Sequence, residues 1–105
     1  MIISFKDQAT EDIFNGVSTK VARKSCPQNL WGIARRKLDQ MDSVIELFEL
    51  SLPPGNHLEK LLGDKKGQHS IKINDQFRIC FTWDAKGPDN VYIIPYNKEI
   101  EVIDG

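Results

Sequence analysis

At 105 residues and a net charge of −1, the chain has the length of one domain, with the apolar and charged fractions of a soluble globular fold that buries a modest core. It has no apolar run of the ~18–20 residues that span a bilayer, and its opening MIISFKDQ lacks the basic-then-apolar order of a secretory signal. Cys26 and Cys80 lie far apart with no CxxC spacing, which predicts two reduced, buried thiols in a cytoplasmic protein rather than a disulfide framework.

The charge is unevenly spread. From Lys20 to Gln40 six basic residues (Lys20, Arg23, Lys24, Arg35, Arg36, Lys37) face one acid, Asp39; from His57 to Arg78 five basic residues face three acids. A near-neutral chain can thus present a basic face, and the local field is what a polyanion meets.

In chain order, Met1 to Phe5 is β-friendly and predicts a first strand at a sheet edge. Asp7 caps a helix to about Phe14, which Asn15-Gly16 ends. Val17 to Lys24 is polar and basic and reads as a loop or a frayed turn. Ser25 with Gln28 fits a capping box, and Leu30, Ala34, Leu38, Met41, Ile45 and Phe48 follow at helix spacing as a core stripe, with a break and new cap near Asp42. Leu52-Pro53-Pro54-Gly55 ends helical structure.

After that the period becomes two. Ile71 and Ile73, then Phe77, Ile79, Phe81 and Trp83, point one way; Ser70, Lys72, Arg78, Cys80 and Thr82 point the other, with a hairpin turn at Asn74-Asp75. Asp84 to Asn90, with Gly87-Pro88, reads as the next turn, and Val91 to Tyr96 as a last strand with Pro95 near its end. Lys98 to Gly105 is an acidic, weakly ordered tail to a single domain spanning residues 1–105. The expected class is α+β: N-terminal helices packed on one face of a small antiparallel sheet.

The sequence shows no metal-ligand spacing, no phosphate-binding glycine loop and no cofactor motif. What it shows is a basic, tyrosine-bearing surface. RNA cleavage by attack of the 2′-hydroxyl needs a base, positive charge on the crowded phosphorane and an acid for the leaving oxygen, and needs no metal. Arg78, in mid-strand, suits either a phosphate clamp or a structural ion pair. Lys60, Lys65 and Lys66 are loop cations or a solvated loop. Tyr96 suits proton donation, base stacking or a half-buried structural role. His69 shares the parity of Ile71 and Ile73 and reads as structural. His57, after a Pro-Pro-Gly-Asn turn, reads as exposed.

The run PPGNHLEKLLGDKKGQHSIKINDQFRICFTW (residues 53–83), then NVYIIPY, with the start MIISFKDQATEDIF and the Ala34-Arg35-Arg36-Lys37-Leu38 helix, resembles the HigB-type toxins of the RelE-like superfamily over nearly the whole chain. The resemblance implies a microbial-ribonuclease-like domain and a ribosome-dependent, metal-independent mRNA endonuclease that stops translation. It implies as partners the ribosome, mRNA and a helix-turn-helix (HigA-like) antitoxin, with operator DNA reached only through that antitoxin, and no membrane. Arg78 falls on the family's phosphate-contacting strand arginine. Tyr96 falls on the tyrosine of its C-terminal motif, with Asn97 where many relatives have histidine. His57, Lys60, Lys65, Lys66 and His69 lie in the region that meets RNA. Two further departures are Leu62 where many relatives carry lysine, and His57 where close relatives carry arginine. A second reading follows from these departures: a catalytically impaired toxin homologue acting as an antitoxin-binding operator co-regulator or as a ribosome- or RNA-binding module.

Overall fold

The computed structural model describes residues 1–96, and its first half is a series of short helices held by polar caps. Asp7 accepts the Thr10 N–H at 2.8 Å and starts α1, Gln8–Asn15. Gly16 ends it in the left-handed region at φ 75°, a conformation that glycine adopts without steric cost. The expected loop over Val17–Lys24 is partly helical: Thr19 accepts the Ala22 N–H at 3.2 Å and caps α2, Lys20–Ser25. Six residues are too few to show a period, and the only buried side chain of α2 is Ala22. Ser25 therefore closes α2 instead of capping the next helix, and the chain passes through a 3-10 turn, Gln28–Leu30, into α3, Trp31–Ser43.

Of the expected stripe, Ala34, Leu38 and Met41 are fully buried and Leu30 half-buried, but Ile45 and Phe48 are 84% and 57% exposed. The period fails because α3 stops at Ser43 and the chain resumes at Leu47–Ser51 as a 3-10 helix, whose three residues per turn carry Leu50 inward and Phe48 outward. Its start is held by Glu49, which accepts the Ile45 and Glu46 N–H groups at 2.8 and 2.7 Å, not by a cap at Asp42. The Pro-Pro-Gly stretch also leaves room for one more 3-10 turn, Pro54–Asn56.

Among the described residues, four antiparallel strands follow in sequence order across the sheet: β1 Glu59–Lys60, β2 Gln68–Lys72, β3 Phe77–Asp84 and β4 Gly87–Pro95. At two residues, β1 is too short to show alternation. The β2–β3 hairpin turns at Asn74, whose side-chain oxygen accepts the Gln76 and Phe77 N–H groups, both at 2.9 Å. The second hairpin is tighter than expected: Gly87 and Pro88 already lie in β4, opposite Asp84 and Trp83, so only Ala85 and Lys86 make the turn. Residues 1–5 are not a full strand. They follow the edge of β4 with one parallel bridge, Phe5 to Val91, and the Pro88 carbonyl accepts the Ile3 N–H at 2.8 Å.

The main core lies between the helices and one sheet face, with Ile13, Leu38, Met41, Ile71, Ile79, Phe81 and Val91 fully buried. The chain is therefore α+β, with helices on one face of a small antiparallel sheet. The opposite face is not the open surface that alternation implies: Ser70, Arg78 and Cys80 are buried, and Leu61 packs with Cys80 and Tyr92 in a second, smaller cluster. Both cysteines are free and buried, and burial pushes each thiol up to about 11. No helix of the described residues is long and apolar enough to cross a membrane. The expected tail, Lys98 to Gly105, lies outside the described residues.

Candidate active site

A cleft of about 210 Å³ opens at the Phe77–Pro95 end of the sheet. Arg78 forms its floor. Register places Arg78 between Lys72 on β2 and Ile94 on β4, and its side chain turns away from the helix core. The residue is only 4% exposed. Burying a guanidinium requires partners. Nε donates to Ser70 Oγ at 2.8 Å, and one terminal nitrogen donates to the His57 carbonyl at 2.5 Å and grazes the Ser70 carbonyl at 3.5 Å. The other terminal nitrogen has no hydrogen-bond partner among the described residues. Of the two readings its sequence position left open, the ion pair is present: Glu59 Oε2 lies 3.6 Å from Arg78, while the guanidinium also lines the cleft.

The His57 carbonyl is aimed by backbone that is itself pinned. Asn56 is buried; its amide nitrogen donates to the Leu50 carbonyl at 3.0 Å and to Gln40 Oε1 at 3.1 Å, while its oxygen accepts Lys37 Nζ at 2.7 Å. The next residue, His57, takes a left-handed conformation (φ 44°, ψ 60°), a state that costs a non-glycine residue about 1–3 kcal/mol unless its surroundings impose it. The side chain of His57 is exposed and lines the cleft.

Glu59 stands on β1 opposite Ser70 and lines the same cleft. Its Oε2 is buried with no hydrogen-bond partner among the described residues. Such an atom costs about 1–3 kcal/mol relative to a satisfied one, a cost the Arg78 guanidinium 3.6 Å away offsets in part. On the far wall Lys72 pairs with Asp75 at 2.7 Å. That hydrogen bond, then the charge of Lys72 and more weakly of His57, holds the Asp75 carboxyl below its usual 3.8. Tyr96, 41% exposed, closes the cleft; its N–H donates to the Gln76 carbonyl at 2.7 Å and the Arg78 guanidinium lies 5.3 Å from its ring centre.

Of the residues picked out in the sequence, Arg78, Tyr96 and His57 therefore meet in one cleft. Lys60, Lys66 and His69 line a separate hollow of about 300 Å³ with Leu61, Leu62 and Gly67. His69 is half-buried against Phe81, ring centres 5.8 Å apart, and burial first, then the charge of Lys60, lowers its pKa from 6.5. Lys65 lines neither space: it lies over Tyr92 and donates to that hydroxyl at 3.3 Å. Asn97 lies outside the described residues. Sequence reasoning passed over Glu59, Lys72 and Asp75 as site residues. Lys72 had a signal, since it shares the strand face of Arg78; Glu59, on a two-residue strand, had none.

The description "RelE-like toxin of type II toxin-antitoxin system HigB" belongs to the family model that matches residues 3–96. The chain is 31% identical over 96 residues to "Toxin HigB-1" of Vibrio cholerae serotype O1, covering 91% of this chain and 98% of the relative. It is also 32% identical over 71 residues to an uncharacterized protein of Haemophilus influenzae, covering 68% of this chain and 70% of that one. With its helices packed on a four-stranded antiparallel sheet and a match that takes in the cleft from His57 to Tyr96, the chain belongs to the HigB-like family of RelE-like toxins of type II toxin-antitoxin systems.

Proposed function

We propose that the protein is a ribosome-dependent mRNA endonuclease that inhibits translation. The observation that carries this reading is the cleft in which a buried guanidinium with one free donor edge, a carboxylate and an accessible phenol meet. Those are the three chemistries needed for attack of a 2′-hydroxyl on the adjacent phosphate. The Arg78 donor edge binds the phosphate and stabilises the charge that grows on its oxygens in the phosphorane. Glu59 is the carboxylate nearest that guanidinium and takes the 2′-hydroxyl proton, since Asp75 is committed to Lys72. Tyr96 supplies a proton to the departing 5′-oxygen. The products are a 2′,3′-cyclic phosphate and a 5′-hydroxyl, and the protons return through water. We assign RNA positioning to His57, Lys60, Lys65, Lys66 and His69, and a part in the chemistry to Asn97, which follows Tyr96 in the sequence.

A type II toxin implies an antitoxin partner. We assign that role to a helix-turn-helix (HigA-like) protein through which the toxin reaches operator DNA. A cell-free translation reaction with a defined message tests the enzyme reading. Wild type cuts the ribosome-bound message and Arg78→Ala slows cutting by ~10²–10³-fold, the usual loss for one oxyanion-stabilising donor. No cutting by the wild type, or equal cutting by a folded Arg78→Ala protein, overturns it.

A further inference from the structure

The sheet face that carries Arg78 holds a second cationic feature one strand repeat away. Tyr92 faces the same side, opposite Cys80, two residues along β4 from the Ile94 that pairs with Arg78. Two residues of extended strand are ~7 Å. Two ammonium groups approach the Tyr92 ring. Lys6 Nζ lies 4.4 Å from the ring centre and Lys65 Nζ 5.4 Å from it. They come from opposite parts of the chain. Lys6 is set by its N–H, which donates to the Val91 carbonyl at 2.9 Å, and Lys65 ends the 3-10 turn Gly63–Lys65. The Tyr92 hydroxyl holds Lys65, accepting from it at 3.3 Å and donating to Gln68 Oε1 at 2.7 Å.

Among the described residues neither lysine has a carboxylate within ion-pair distance; the two ion pairs are Lys72–Asp75 and Arg78–Glu59. The carboxylate next to Lys6, Asp7, is occupied in capping α1. The two cations at this ring therefore face no carboxylate among the described residues, an arrangement that favours an anion beside them. Tyr92 is only 4% exposed, so its face is not available for a stacked base.

We propose that Lys6 and Lys65, ordered on Tyr92, form a phosphate subsite. It takes the backbone phosphate next to the one held by Arg78 and so sets the line of single-stranded RNA across the sheet. The assignment rests on the RNA-cutting reading for its substrate, but its test does not depend on cutting. The probe is a 2′-O-methylated single-stranded oligoribonucleotide, which keeps every phosphate and lacks the attacking hydroxyl. Its binding to the whole protein is followed by fluorescence anisotropy across a KCl series. Lys6→Met and Lys65→Met keep the aliphatic stem on the ring and remove the charge, which preserves the fold; Lys6→Arg keeps the charge. Each Met variant lowers the magnitude of the log–log salt slope by about 0.7, the share of one single-strand phosphate contact, and Lys6→Arg keeps the wild-type slope. Wild-type slopes in both Met variants overturn the subsite. A wild type that binds with these slopes but cuts no message overturns the nuclease reading alone.

Discussion

Arg78 shows how a single residue reconciles burial with binding. Most of its donors are spent on Ser70 and the His57 carbonyl, and the cost of burying it is offset there, so the remaining edge is held rigid without a further ordering cost when a ligand arrives. The strand parity of Arg78 was readable in the sequence; its partner Glu59 was not, because nothing in a two-residue strand fixes which way a side chain points. Glu59→Gln keeps the shape and removes the basicity, and is expected to slow cleavage by ~10²–10⁴-fold, the range for a general base, with little change in RNA affinity; single-turnover cleavage on programmed ribosomes separates the two. His69 gives a pH test. Its folded pKa lies below its ordinary 6.5, so the unfolded chain binds the proton more readily. Stability is then unaffected well above 6.5 and falls as pH drops from there through the lowered folded value. Urea melts between pH 8 and 5 show that decline in the wild type and a shallower one in His69→Gln.

At the scale of elements, the legible parts were those with long periods. The alternation of β2 and β3 and the middle of the α3 stripe stood out because four or more residues repeat one rule. The elements missed, α2, β1 and the 3-10 turns, are two to six residues long and owe their form to caps such as Thr19 and Glu49 and to tertiary contacts. The stripe also extended too far, to Ile45 and Phe48. That difference is measurable: Leu38→Ala should cost about 2–5 kcal/mol in denaturant unfolding, as a cavity in a packed core does, whereas Phe48→Ser should stay within about 0.5 kcal/mol. The β3–β4 hairpin has its own constraint. Gly87 sits at φ 141°, and a Cβ there would collide with the Met1 carbonyl oxygen. Gly87→Ala is expected to lose about 1–3 kcal/mol of stability and to release residues 1–5 from the edge of β4, which raises the hydrogen-exchange rate of the Ile3 amide.

For the molecule as a whole, net charge was a poor guide and charge placement a better one. A chain at −1 gathers Arg78, Lys72, Lys65 and Lys6 on or beside one sheet face while its apolar face is sealed by helices. Sequence gave the basic region around Lys65 and Lys66 but could not join Lys6 to it, because that contact spans most of the chain. The two cysteines test whether the sheet and helices melt together. Cys26 lies in the helix-side core and Cys80 in the smaller cluster on the other face, both with thiols raised to about 11. One cooperative unit predicts that a thiol reagent labels both with the same dependence on denaturant; earlier labelling of Cys80 would show that the smaller cluster opens alone.

The clamp on Asn56 makes the cleft part of a lever. Lys37 and Gln40 on α3 grip the amide, the amide fixes the left-handed turn at His57, and that turn's carbonyl aims Arg78. Helix α3 is thus joined to the Arg78 guanidinium by a short chain of contacts through Asn56 and His57. With the cleavage role proposed for Arg78, loosening the first of these contacts with Lys37→Met is expected to slow cutting of a ribosome-bound message while leaving RNA affinity nearly unchanged.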